Sequence, residues 1–153
     1  MELADFRVQP GDEVRFAKTV GESDVYLFAG LTGDLSEVHC NEEYMRKGVF
    51  GSRIAHGVLT VGLMSTTSTL MYTPHVKHYG GYTPVSQGYD RVRFAGPVFF
   101  GDTVTVTYRV KSLEPERNRA LADVEAHNQR GELVASAIHI MRWVEIPAAG
   151  VAA

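Results

Sequence analysis

The clearest pattern in the chain is an alternation over residues 102–113. Val104, Val106, Tyr108 and Val110 interleave there with Thr103, Thr105, Thr107 and Arg109. Successive side chains of a strand point to opposite faces, so this period of two predicts a half-buried strand at Asp102–Leu113. The same reading gives strands at Val85–Phe94, Arg119–Asn128 and Glu132–Glu145. An earlier strand is predicted at Glu13–Val20, with Val14, Phe16 and Lys18 on one face. Gly96-Pro97, Gly101-Asp102, Glu116–Asn118 and Gln129-Arg130-Gly131 divide the later strands, which implies hairpins and a mainly antiparallel sheet.

Between the first strand and the rest the period changes. From about His56 to Tyr72 the chain is apolar nearly all the way round a helix, and its polar residues are small: Thr60, Ser65, Thr66, Thr67, Ser68 and Thr69. A helix of that kind is buried. Small side chains let a sheet come close, while β-branched threonines weaken the isolated helix, so packing must hold it. A shorter helix is predicted from Asp24 to about Leu31, capped by Ser23, with Val25, Leu27, Phe28 and Leu31 as its apolar side and Gly33 as its stop. Another runs from Glu42 to Lys47 with Asn41 as cap, acidic at its start and basic at its end. Residues 34–40 and 73–83 read as loops, residues 1–10 as an arm, and 148–153 as a disordered tail.

One strand, then helices, then four consecutive strands describes an α+β domain: a curled sheet around one long central helix, spanning 1–147. One sheet covers only one side of such a helix, so a homodimer is expected. The 153 residues, 44% hydrophobic and 22% charged, suit one domain with one core. The net charge of −3 comes without a basic stripe, which argues against nucleic acid. No stretch is long and apolar enough for a membrane span or a secretory signal. Cys40 is the single cysteine, so no disulfide forms within the chain, and a reducing, cytoplasmic setting is expected.

The candidate chemistry lies in residues 28–65. Asp34 and His39 are two titratable groups on one irregular loop, and the predicted long helix begins near Gly57. A histidine oriented by a carboxylate can accept a proton near neutral pH, and the pair could hold and polarise one water. The unpaired amides at the helix start suit a developing oxyanion. Those parts are what adding water to an α,β-unsaturated thioester needs, although the spacing alone is equally that of a surface pair or a cap. Neighbours on an extended loop point apart, so His39 and Cys40 make a poor dyad. His75 and His78 have no acidic or thiol partner close by, and no metal is expected. Arg46, Lys47 and Arg53 are either phosphate contacts or solvated charges. Tyr79 and Tyr82 belong to either an acyl pocket or an interface. No dinucleotide fingerprint is present, and no cofactor is expected.

TGDLSEVHCNEEY followed by FGSRIAHGVLTVGLMS resembles the signature of the MaoC-like (R)-specific enoyl-CoA hydratase family. Thr32, Gly33, Asp34, Val38 and His39 match its first part; Phe50, Gly51, Ile54, Ala55, His56, Gly57 and Leu59 match its second. RVRFAGPVFFGDTV, residues 91–104, is similar as well, and the likeness covers about residues 12–144. The resemblance implies the hotdog fold and a hydratase/dehydratase that interconverts trans-2-enoyl-CoA and (3R)-hydroxyacyl-CoA. It implies Asp34 and His39 as the catalytic pair holding water, and Gly57 as amide donor to the thioester oxygen. Ser65 and His56 would support the site. The substrate would be a coenzyme A or acyl-carrier thioester. Ser36-Glu37 stands where the family usually has Asn-Pro, so Ser36 is expected to take over part of the asparagine's role. Two other activities suit the same residues: an acyl-CoA thioesterase, or a non-catalytic acyl-CoA-binding subunit.

Overall fold

The structure is a computed structural model and describes residues 5–147. In chain order the elements are β1 (Glu13–Thr19), α1 (Glu22–Thr32), α2 (Glu37–Cys40), α3 (Glu42–Met45), α4 (Gly57–Tyr72), a 3₁₀ segment (Thr73–His78), β2 (Tyr82–Phe94), β3 (Thr103–Glu114), β4 (Arg119–His127) and β5 (Leu133–Glu145). The strands form one five-stranded sheet in the order β1-β3-β4-β5-β2. Every neighbouring pair is antiparallel. The predicted tail, 148–153, lies outside the described residues.

The alternation in β3 does what its period dictates. Val104, Val106, Tyr108 and Val110 are buried against α4, and Ala120, Ala122, Val124 and Ala126 of β4 continue the same inner face. Alanines on the sheet and hydroxyl-bearing residues on the helix leave room for close approach. Thr67 and Ser68 are buried in α4, and their hydroxyls donate one turn back to the carbonyls of Met64 and Ser65, at 2.6 and 2.8 Å. Each polar group is thereby satisfied inside the interface. β2 is longer than predicted and takes in Pro84, which an edge strand tolerates because one of its rows of amides is unpaired.

Four expectations are corrected. Gly21, not Ser23, precedes α1: the Asp24 carboxylate accepts from the Gly21 amide at 2.9 Å, so the helix opens two residues earlier. α1 buries Val25 and Ala29, four apart on one face, while Leu27 and Leu31 face outward at 73% and 86% exposure. The 34–40 loop holds the one-turn helix α2. Tyr79 belongs to the core rather than to a pocket or an interface, since its hydroxyl donates to the Tyr72 carbonyl and its ring meets Trp143 edge-on. Asn41 caps α3 as expected, accepting from the Tyr44 amide at 3.0 Å. α4 is buried on one side only, and Val58 and Leu70 lie on its open side.

The core also encloses an imidazole. His139 is completely buried, with Nδ1 2.9 Å from the Tyr108 hydroxyl and Nε2 2.8 Å from Ser86 Oγ. A neutral ring satisfies both contacts, one nitrogen donating and the other accepting. Burial lowers its pKa from 6.5 to about 4. The unfolded chain therefore takes up this proton as pH falls below 6.5 while the folded chain does not, so the stabilisation is complete above 6.5 and lost towards 4. The loss amounts to roughly 3 kcal/mol. Urea unfolding at several pH values should show wild-type stability falling across this window. In His139→Gln that part of the slope should be absent; an unchanged slope would contradict the assignment.

Candidate active site

Asp34 is placed by the end of α1. Gly33 adopts a left-handed conformation, φ 81°, and its amide closes the helix on the Ala29 carbonyl. The reversal brings Asp34 out of line with α1, where its amide donates to Thr32 Oγ1. Its side chain is half exposed, and Oδ1 accepts weakly from the Ser36 amide at 3.4 Å. Ser36 then starts α2: its carbonyl accepts from the amides of His39 and Cys40. The support from Ser36 is thus by backbone, and its hydroxyl makes no cap bond.

α2 turns His39 inward. Its Nδ1 lies 2.8 Å from the Ile54 carbonyl. A carbonyl only accepts, so Nδ1 carries the hydrogen, and the neutral ring keeps a free lone pair on Nε2. His56, immediately before α4 and 2% exposed, donates from Nε2 to the Asp34 carbonyl at 2.9 Å. The two imidazoles stack with centroids 3.7 Å apart, and Phe28 packs on His56 at 4.8 Å. The segment between them is braced twice more, by the Ile54 amide on the Val38 carbonyl and the Ala55 amide on the Val98 carbonyl. His56 thus acts as a strut at the helix start.

Asp34, His39 and His56 come close enough for one ligand atom of each to lie within 4.8 Å of the others. Sequence and resemblance had set Asp34 with His39, and His56 in support of them. In these ring orientations His56 Nε2 and His39 Nδ1 are both spent as donors to carbonyls, and His56 Nδ1 is enclosed without a partner, which leaves His39 Nε2 and the Asp34 carboxylate as the accessible lone-pair donors. A water, which can give two hydrogens, fits that set better than a tetrahedral metal ion with three protein ligands.

His39 and Gly57 share the wall of a cavity of about 380 Å³, with Thr60, Phe94, Val98 and Val134 among its other lining residues. Asp34 adjoins His39 but is not part of that wall. Gly57 opens α4, where the first amides have no intrahelical partner. The Phe94 ring rests directly on Gly57: a Cβ built there would lie 2.9 Å from the ring carbons. Ser65 is not brought to this place. It lies two turns along α4, lining a second cavity of about 220 Å³ with Ser68, Tyr72 and Ser86, and near the buried Tyr89 hydroxyl.

The basic residues are mostly engaged. Arg53, 16% exposed in its side chain, pairs with Glu22 of α1 and Glu42 of α3 and stacks over Phe100 at 4.8 Å. It clamps the helices that frame the site instead of reaching for a phosphate. Arg46 pairs with Glu42 and Glu43. Among the described residues Lys47 is exposed and makes no ion pair. Phe94, Thr60 and the Arg53 clamp were not singled out for these places from sequence, because each depends on contacts between distant segments.

The sheet, the central helix and the site at its N-terminus define a hotdog-fold domain. The (R)-hydratase of A. caviae involved in PHA biosynthesis shares this fold, with a TM-score of 0.76 at 24% identity over 92% of this chain and 98% of that one. Residues 5–130 match the MaoC like domain, and the chain belongs to that family. The (R)-specific enoyl-CoA hydratase of Rhodospirillum rubrum is 41% identical over 111 residues, 72% of this chain and 71% of that protein. The 3-hydroxyacyl-thioester dehydratase Z of Mycobacterium tuberculosis is 34% identical over 114 residues, 73% of each. Enzymes with these names are hydro-lyases. No helix among the described residues is long and apolar enough to cross a membrane.

The packing of Phe94 on Gly57 makes a prediction. Gly57→Ala should destabilise the fold by about 1–3 kcal/mol through overcrowding. Gly57→Ala/Phe94→Ala should regain most of that in denaturant unfolding. Equal stability of wild type and Gly57→Ala would show that the ring gives way freely.

Proposed function

We propose that the chain is an (R)-specific hydratase/dehydratase that interconverts trans-2-enoyl and (3R)-hydroxyacyl thioesters. The observation that carries this reading is that His39, its Nδ1 held by the Ile54 carbonyl, comes together with Asp34 at a cavity that also takes in the start of α4. The named relatives support the substrate class and the stereochemistry.

In the hydration direction, Asp34 and His39 hold one water. His39 Nε2 is the natural acceptor, because the Ile54 carbonyl fixes the proton on Nδ1. As that proton leaves, the water oxygen bonds to C3 and the C2=C3 π pair moves to C2. The charge spreads onto the thioester oxygen, where the Gly57 amide and the positive end of α4 stabilise it. The pair then delivers one proton to C2. Water has added across the double bond, both residues are restored, and no cofactor is consumed. The coenzyme A or acyl-carrier portion serves as the handle. We also propose a homodimer, since among the described residues nothing covers the outward side of α4 or the edge of β2.

Crotonyl-CoA hydration, followed as loss of the enoyl-thioester absorbance together with a free-thiol assay, tests the reading. Wild type should consume the enoyl band without releasing thiol. Asp34→Asn and His39→Gln should each lower kcat by at least about 10²-fold, the lower range for loss of an acid or base group. Near-full activity in Asp34→Asn would overturn the mechanism. Thiol release would instead mark a thioesterase, and tight binding without turnover a non-catalytic acyl-CoA-binding subunit.

A further inference from the structure

α4 carries six serine and threonine hydroxyls, on Thr60, Ser65, Thr66, Thr67, Ser68 and Thr69. Four of them are spent inside the helix: Thr66 donates to the Gly62 carbonyl, Thr67 to Met64, and Ser68 and Thr69 both to Ser65. Ser65 faces Tyr89. Thr60 differs from all of these. It is 3% exposed, it lines the cavity shared by His39 and Gly57, and its hydroxyl has no hydrogen-bond partner among the described residues. Nor is that oxygen sealed from the cavity, since the enclosed polar atoms without partners belong to other residues.

Helix geometry says which way this side chain leans. Every Cα–Cβ bond in an α-helix tilts towards the N-terminus, so a side chain covers the turn before its own Cα. Thr60 is three residues after Gly57, and side chains at that spacing are surface neighbours. Gly57 has no side chain of its own, the Phe94 ring rests on it, and the Thr60 side chain leans over the first turn of α4 towards its amides. The carbonyl one turn back, on His56, already accepts from the Leu59 amide at 3.0 Å. The surrounding wall is mostly apolar: Ile54, Phe94, Pro97, Val98 and Val134. A hydroxyl that faces this cavity without a protein partner is free to donate to a ligand oxygen there.

We infer that Thr60 is a second donor to the thioester oxygen, acting beside the Gly57 amide. This rests on the hydratase reading given above. The proton stays on Thr60 throughout: the O–H donates a hydrogen bond that strengthens as charge develops on the oxygen, and no bond is made or broken at the residue. The contribution therefore belongs mainly to the transition state.

Thr60→Val keeps the shape and removes the donor, whereas Thr60→Ser keeps the donor. With crotonyl-CoA, Thr60→Val should lose about 10- to 100-fold in kcat, at and below the low end for removing one oxyanion donor. Its KM, and its affinity for the unreactive butyryl-CoA by calorimetry, should change far less. Thr60→Ser should recover most of the rate, and the thermal midpoint of Thr60→Val should equal or exceed that of wild type. If wild type is active and Thr60→Val retains its kcat/KM within about twofold, well short of the loss expected for an oxyanion donor, Thr60 is not a donor and the hydratase reading stands. If Thr60→Val and Thr60→Ser are impaired alike, Thr60 acts through packing and the inference is likewise overturned. A wild type inactive on enoyl thioesters overturns the hydratase reading, and this inference with it.

Discussion

The hydrogen bond from His56 Nε2 to the Asp34 carbonyl joins the start of the central helix to the loop that carries the carboxylate. It spans 22 residues of sequence, and its imidazole end is buried. A parallel bond, from His39 to the Ile54 carbonyl, fixes the second imidazole from the other side. Because both acceptors are carbonyls, both rings have their tautomers set by the backbone, and His39 alone of the two presents a lone pair from its second nitrogen outside a sealed environment. The same contacts that brace the loop thus decide which nitrogen can take a proton. Removing His56 would leave the Asp34 carbonyl unpaired and free the loop to drift from the first turn of α4.

The sheet serves this arrangement by holding α4 still. The helix can lie close because β4 offers alanines and α4 answers with hydroxyls that bond back to their own carbonyls. The loop before β3 closes the far wall of the cavity. Buried Asp102 anchors it, accepting from the Phe99 amide, Gln129 and Arg130. Ala55 then ties that loop to the segment leading into α4. Arg53, paired with carboxylates of α1 and α3, completes the frame on the other side. The half-exposed Phe94 ring over Gly57 forms part of the cavity wall.

The strands were legible because a period of two survives in local sequence: β3 and β4 show it residue by residue. Asn41 was legible as a cap because capping is a contact within four residues. Asp34 and His39 were legible as neighbours through spacing and resemblance, and the structure adds His56 as the strut between them. What escaped depends on longer reach. Leu27 and Leu31 looked like core residues, but the buried face of α1 is set by Val25 and Ala29. Ser23 has the right chemistry for a cap, yet the Asp24 carboxylate reaches back to Gly21 first. Arg53 read as either a phosphate contact or a solvated charge, and the structure instead brings carboxylates of two helices to it. Ser65, carried over from the family pattern, lies away from the pair it was expected to support.

The central claim is that Asp34 and His39 deliver water to C3 of an enoyl thioester and leave the thioester intact. Turnover of crotonyl-CoA in water enriched in heavy oxygen, with mass analysis of the products, tests it most directly. The account predicts one heavy oxygen in the C3 hydroxyl of a (3R)-hydroxyacyl-CoA whose thioester is unbroken. Heavy oxygen in a free carboxylate, with coenzyme A released, would contradict it: the held water would then be attacking the carbonyl carbon.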